Sequence, residues 1–190
     1  MPSSEPMGKS GLFVTLALLF SAQLSAQPGV ELTGRVTLNG EPAQDRLLAF
    51  WSAQSSTEVT TRTDIDGQYR VVLPHAGDFM VVVRDWPQTT HVVAQDQEMS
   101  FDWAVEGATV TVDLYGNLDA PAKVEFRRRS PDFLTMRSMP PSQTRDVFEG
   151  LPFGVFRVRA YNGFAASEDV MIELTRNRPQ ETVTLYLVPK

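Results

Sequence analysis

The 190-residue chain contains no cysteine. That excludes a disulfide framework, a thiol nucleophile, a thiolate metal site and a lipid anchor carried on an N-terminal cysteine. Lysine is nearly missing as well, with only Lys9, Lys123 and Lys190 in the whole chain and none from Gln27 to Ala104. Histidine is confined to His75 and His91, and neither has a glutamate three or four positions away. A peptidase-type zinc site needs clustered histidine and carboxylate ligands, so no metal set is expected. No Gly-x-Ser-x-Gly elbow occurs either. With no catalytic residue, metal ligand or cofactor motif to assign, the chain reads as a non-enzyme.

Long apolar runs are scarce too. The one example, Gly11 to Phe20 ("GLFVTLALLF"), follows Lys9 and precedes the small, polar "SAQLSAQPG". A positive start, a short apolar segment and a small-residue exit at Ala26 form the layout of a secretory signal peptide over residues 1–26. Leu24 is the imperfect feature, because a small residue is preferred three positions before the cut. The run is shorter than the roughly 20 residues of a transmembrane helix. Export is therefore expected, to the periplasm, the cell surface or the medium, with no membrane span after cleavage. Export without cysteine is a bacterial habit more than an animal one.

The remaining 164 residues must be stabilised by buried apolar surface alone. The net charge of −6 argues against nucleic acid and against an anionic membrane as a general partner. Its distribution is uneven. Residues 27–104 hold five arginines and eleven acidic residues, a charge of −6, whereas residues 105–190 hold eleven of each sign and balance.

What the chain does contain is one unit written twice. "LPHAGDFMVVV" (Leu73 to Val83) and "LPFGVFRVRA" (Leu151 to Ala160) share Leu-Pro, a glycine, one intervening residue, phenylalanine and an alternating strand. Val36, Leu38, Gly40, Leu48 and Phe50 match Val112, Leu114, Gly116, Val124 and Phe126 at an offset of 76. Met99, Phe101 and Trp103 are aligned here with Val183, Leu185 and Leu187. Such a period is a unit of folding, and it divides the chain into residues 27–104 and 105–190.

Apolar residues recur at period two, as at Tyr69, Val71 and Leu73, at Phe79, Val81 and Val83, and at Phe156, Val158 and Ala160. Turn clusters such as "NGEP", "DIDG" and "YNG" separate these runs, and no helical stripe of ten residues is present. The pattern predicts an all-β chain of two tandem antiparallel sandwiches. In the repeated phrase, proline ends a strand, glycine makes the turn and phenylalanine plugs the core.

Gly34-Arg-Val, then "NGEPAQDRLLAFW", then "TDIDGQYRVVLPHAGDFMVVV" resemble the carboxypeptidase regulatory-like domain, a transthyretin-like or prealbumin-like β-sandwich with Ig-like architecture. Thr63, Asp64, Asp66, Gly67, Tyr69, Leu73, Gly77 and Phe79 carry the resemblance. The second copy has "QTRDVFEGLPFG" in place of the Asp-x-x-Gly-x-Tyr segment, so its membership leans on its likeness to the first. The resemblance implies an accessory module without the enzyme. Asp64 and Asp66 precede a glycine as calcium ligands do, but no third ligand or distant glutamate follows; the expected role is a turn.

Two binding segments are candidates. Arg127 to Arg145, "RRRSPDFLTMRSMPPSQTR", has no equally polar counterpart in the first copy. It reads as a long hairpin loop in which Arg127, Arg128 and Arg129 attract an acidic partner while Phe133 and Met136 anchor it. The other candidate is Trp86, expected to be exposed in a loop and able to stack on a sugar, as in the related starch-binding sandwiches; Trp51 and Trp103 are expected to pack in the core or at its rim. An exported module that contacts another envelope or extracellular protein is the leading expectation. A polysaccharide-binding accessory protein is the alternative, and an exposed aromatic platform would mark it.

Overall fold

The computed structural model describes residues 29–95, 98–129 and 132–190. The expected signal peptide lies outside them. The protein is all-β: every named element among the described residues is a strand. No helix there is long and apolar enough to cross a membrane.

The first half runs β1 (Val30–Leu38), β2 (Glu41–Pro42), β3 (Leu47–Ser52), β4 (Thr57–Arg62), β5 (Gln68–Leu73), β6 (Gly77–Val83), β7 (Thr89–Ala94), β8 (Glu98–Ser100) and β9 (Trp103–Val105). In one sheet β1 is central, antiparallel to β2 and β5 and parallel to β8 and β9. The other sheet has the antiparallel order β4-β3-β6-β7. Alternation decides which side chains face inward: Tyr69, Val71 and Leu73 on β5 and Phe79, Val81 and Val83 on β6 are all buried.

The second half runs β10 (Ala108–Gly116), β11 (Ala122–Arg129), β12 (Asp132–Met139), β13 (Arg145–Leu151), β14 (Gly154–Tyr161), β15 (Ala165–Ala166), β16 (Val170–Leu174) and β17 (Gln180–Pro189). Here β10 is antiparallel to β13 and parallel to β17, while β12-β11-β14-β16 pair antiparallel. The two-residue β15 bridges β14 and β17. Strand for strand, β1, β3, β4, β5, β6 and β7 correspond to β10, β11, β12, β13, β14 and β16. The first half splits in two, as β8 and β9, what the second half makes in one piece, β17.

The aromatic core repeats as well. Phe50, Tyr69 and Phe79 occupy in one half the places of Phe126, Phe148 and Phe156 in the other. Ring centroids lie 5.9 Å apart for Phe50–Tyr69 and 4.7 Å apart for Phe126–Phe148. Gly77 and Gly154 of the repeated phrase have φ of +143° and +145°, a backbone state that side-chain-bearing residues rarely adopt. Each half has its own buried cluster, from Val30 to Val105 and from Ala108 to Leu187.

Two expectations about local structure are corrected. Residues 127–129 and 132–139 are strand rather than loop: β11 and β12 pair antiparallel from Ala122↔Met139 to Arg129↔Asp132, with alternate residues turned toward the core. The alignment of the last strands also shifts by four residues. Val36 pairs with Trp103 and Val112 with Val183, so Trp103, not Met99, is the counterpart of Val183. A four-residue shift keeps every side chain on its face, which is why period two alone could not detect it.

Candidate functional site

The outer face of β12-β11-β14-β16 collects the side chains that alternate away from the second core. Cross-strand register sets them in rows. One row is Leu134, Arg127, Arg157 and Met171; the next has Met136, Glu125 and Arg159. Leu134, Met136 and Met171 are exposed, and Val155 adds an exposed residue beside them.

Arg127 stands directly opposite Arg157. Like charges at such a pair repel. Arg157 is compensated by Asp169 at 3.3 Å and Glu125 at 3.7 Å, and Arg159 by Glu125 at 3.0 Å. The Glu125 carboxylate holds the Arg159 guanidinium further above its ordinary value, and Glu125 itself is buried beneath the arginines. Exposed Arg127 has no hydrogen-bond or ion-pair partner among the described residues. Among the described residues the face therefore presents the uncompensated Arg127 guanidinium amid exposed apolar side chains.

The expected hairpin residues divide between the two faces. Arg127 and Met136 point outward. Phe133 is half-buried and meets Phe156 edge-on at 5.8 Å, so it belongs to the core margin rather than to an exposed tip. Arg128 donates to the Phe153 carbonyl and lies over the Phe133 and Phe156 rings. The arginine triplet is thus not one charge cluster, since strand alternation turns Arg128 the other way. Arg129 lies at the end of β11.

Trp86 is corrected outright: it is 4% exposed. The cause lies in the other half. A bulge in β13 between Phe148 and Leu151 shifts the register, and Gly150 there brings its backbone against the indole. Glu149 accepts from Trp86 Nε1 at 3.5 Å and pairs with Arg46, whose guanidinium sits 5.6 Å over the ring. Gln88 Nε2 donates to the Gly150 carbonyl at 2.7 Å, and the Asn39 side chain exchanges hydrogen bonds with Gly107. Trp86 is an anchor between the halves, not a free sugar platform. The exposed tryptophan is Trp51, at 42%, on the outer face of β3, while Trp103 packs half-buried on the first core.

Asp64 makes the expected turn. Its Oδ1 accepts from the Asp66 and Gln68 amides at 2.9 and 2.8 Å. Asp66 contributes its backbone carbonyl, which accepts from Arg35 Nε at 2.8 Å. No group of three or more metal-binding side chains occurs among the described residues. A cleft of about 700 Å³ lies beside this turn, lined by Arg35, Asp64, Tyr69 and Asp102 among others. Its polar groups have structural duties: the Arg35 amide donates to Asp102 at 2.8 Å and the Tyr69 hydroxyl to the Phe101 carbonyl at 2.7 Å.

One feature had no signal in the sequence. Tyr115 and Tyr186, both exposed, are register partners on β10 and β17 and stack at 5.6 Å and 25°. They are 71 positions apart and meet only because β17 runs parallel to β10. Beside them lie Thr184 and the ion pair of Asp113 with Arg145 at 2.7 Å.

No protein-family model matches the chain, and no curated protein does; the carboxypeptidase regulatory-like resemblance rests on the residues quoted for it. Solved structures give matches of low identity. A streptococcal ancillary pilin is 11% identical over 86% of this chain, with a TM-score of 0.38; the chain spans 63% of that protein's length. DUF3823 family proteins from Bacteroides ovatus and Parabacteroides merdae are each 12% identical. They cover 78% and 74% of this chain, and 100% and 91% of their own, with TM-scores of 0.35 and 0.36.

Proposed function

We propose that the protein is an exported, non-catalytic module of two tandem β-sandwich units, one around the Val30–Val105 cluster and one around the Ala108–Leu187 cluster, that binds another envelope or extracellular protein through the outer face of β12-β11-β14-β16. The observation that carries the reading is Arg127, uncompensated and opposite Arg157, set among exposed Leu134, Met136 and Met171. Repulsion that is unfavourable in the free protein is relieved by an acidic partner, and arginine and methionine are the residue types that interfaces favour. The signal-peptide pattern of residues 1–26 supports export. Arg127→Glu with Met136→Ser should abolish capture of the partner from the native envelope and leave the thermal transition within a few degrees of the parent. Capture undiminished by both changes would remove the face from consideration.

A second reading, polysaccharide binding, is favoured by the exposed Tyr115–Tyr186 pair, since stacked aromatic surface is what a sugar ring recognises. Tyr186→Ala should then lose retardation on a polysaccharide gel that Arg127→Glu retains. Equal migration of parent and Tyr186→Ala would dismiss it.

A further inference from the structure

The two halves present the same sheet face with opposite chemistry. On the first half the row equivalent to Leu134, Arg127, Arg157 and Met171 is Glu58, Trp51, Met80 and His91. The neighbouring row of Glu125 and Arg159 becomes Ala49 and Val82. Where one sandwich displays guanidinium groups, the other displays an indole, a thioether and a valine. Trp51 is 42% exposed and Met80 and Val93 are exposed as well. Acidic groups rim this patch: Glu58, bonded to Arg84 at 2.9 Å, and Asp78, 3.2 Å from His91. The first half as a whole carries −6 and the second is neutral.

From this complementarity we infer that the occupant of the arginine face is a second copy of the chain, docked through its Trp51 face. The inference rests on the docking reading above and names the partner. Arg127 and Arg157 meet an indole on whose face a guanidinium is attracted by the ring quadrupole. Leu134, Met136 and Met171 meet Met80, Val82 and Val93, burying apolar area on both sides. The Glu58 and Asp78 carboxylates border the Trp51 patch and supply the negative charge that Arg127 lacks in its own chain. Because the two faces differ, the contact is heterologous: the pair retains one unused face of each kind, one on each molecule, unless it closes on itself.

Sedimentation velocity of the purified full-length chain tests this. The parent should associate with rising concentration. Raising salt from about 0.01 M to about 1 M should weaken that association, because the screening length falls from about 30 Å to about 3 Å. Arg127→Glu alone and Trp51→Ala alone should each weaken it by about tenfold or more, the scale of losing an interface anchor. Mixing the two variants should restore dimers, since Arg127→Glu retains an intact Trp51 face and Trp51→Ala an intact arginine face. A parent that stays monomeric up to about 1 mM overturns the inference. So does association unchanged in both variants, or a mixture no more associated than its components. A monomeric parent that still captures an envelope protein, and loses it in Arg127→Glu, sinks self-docking alone. Loss of neither association nor capture in Arg127→Glu sinks the docking face as well.

Discussion

The last strand of the first half breaks at Phe101–Asp102, whereas β17 of the second half pairs with β10 without interruption from Thr109↔Gln180 to Gly116↔Leu187. At the break the Phe101 backbone crosses directly over Gly34. A Cβ on Gly34 would lie 1.9 Å from the Phe101 oxygen. That carbonyl is satisfied instead by the Tyr69 hydroxyl at 2.7 Å. In the second half the same two places hold Val110 and Phe148, both buried: the straight strand leaves room for a side chain and no stranded carbonyl to serve. The absence from the second copy of the tyrosine of the Asp-x-x-Gly-x-Tyr segment is thereby explained. Its tyrosine has a task only where a strand kinks, because a buried acceptor without a donor is costly. The bulge in β13 works the other way. It has no counterpart in β5, and it builds the socket in which Trp86 is buried.

The sharpest way to break this comparison is Gly34→Ala. The new methyl meets backbone, which cannot move without unpairing β9 from β1, so a loss of about 4–5 kcal/mol or more is expected in urea unfolding. Val110→Ala should cost clearly less. Equal costs would mean that the kink is not what requires the glycine.

Trp86→Ala comes next, with about 3–5 kcal/mol expected from the emptied site. Because the indole joins the halves, calorimetry should resolve one transition for the parent and two for the variant. A single transition in the variant would show that the halves are coupled by other contacts.

Tyr69→Phe should cost about 1–3 kcal/mol by orphaning the Phe101 carbonyl, and it should change the response to base. Burial, with the Asp102 charge, holds the Tyr69 pKa above its ordinary value. The neutral hydroxyl therefore stabilises the fold fully below about pH 10, where the unfolded tyrosine titrates. That contribution is lost as pH rises beyond that value, because the unfolded chain ionises first. Denaturation curves between pH 9 and 11 (a window of about one unit on either side) should fall less steeply for Tyr69→Phe than for the parent.

The smallest effect is expected at Asp113. The hydrogen bond from Arg145 holds its carboxyl below the ordinary value, so its contribution is present above about pH 4 and is lost as pH falls through the folded value. With Arg145 largely exposed, the pair should make Asp113→Asn slightly less stable than the parent at neutral pH, with the gap closing in acid. A gap that persists at low pH would assign the effect to packing beside Tyr115 rather than to charge.

Much of this was legible before any coordinates. Phe79 and Phe156 are the plugs that the repeated phrase predicts, and both are fully buried, as are Phe50 and Phe126, which the repeat matches to each other. The "TDIDG" segment is a turn closed by Asp64 amide contacts. Elsewhere the sequence misled for a consistent reason. Trp86 follows a turn and precedes a proline, which locally describes an exposed residue; it is buried by Gly150, 64 positions away. The polar run after Arg127 describes a loop by composition, yet its alternate residues Phe133, Thr135, Arg137 and Met139 all turn inward along β12, and Arg137 lies 4.4 Å over the Phe148 ring.

The sequence by itself determined the clearly alternating strands such as β5, β6 and β14, their inward residues and the doubling of the unit, because alternation and turn chemistry are local and each residue's neighbours in the chain suffice to express them. Only the tertiary structure decided which outward residues meet. The facing of Arg127 with Arg157, the stack of Tyr115 on Tyr186 and the seat of Trp86 depend on strand order, direction and register. Those are chosen by the burial of the opposite face of each sheet, so the exposed face acquires its chemistry as a consequence of the core.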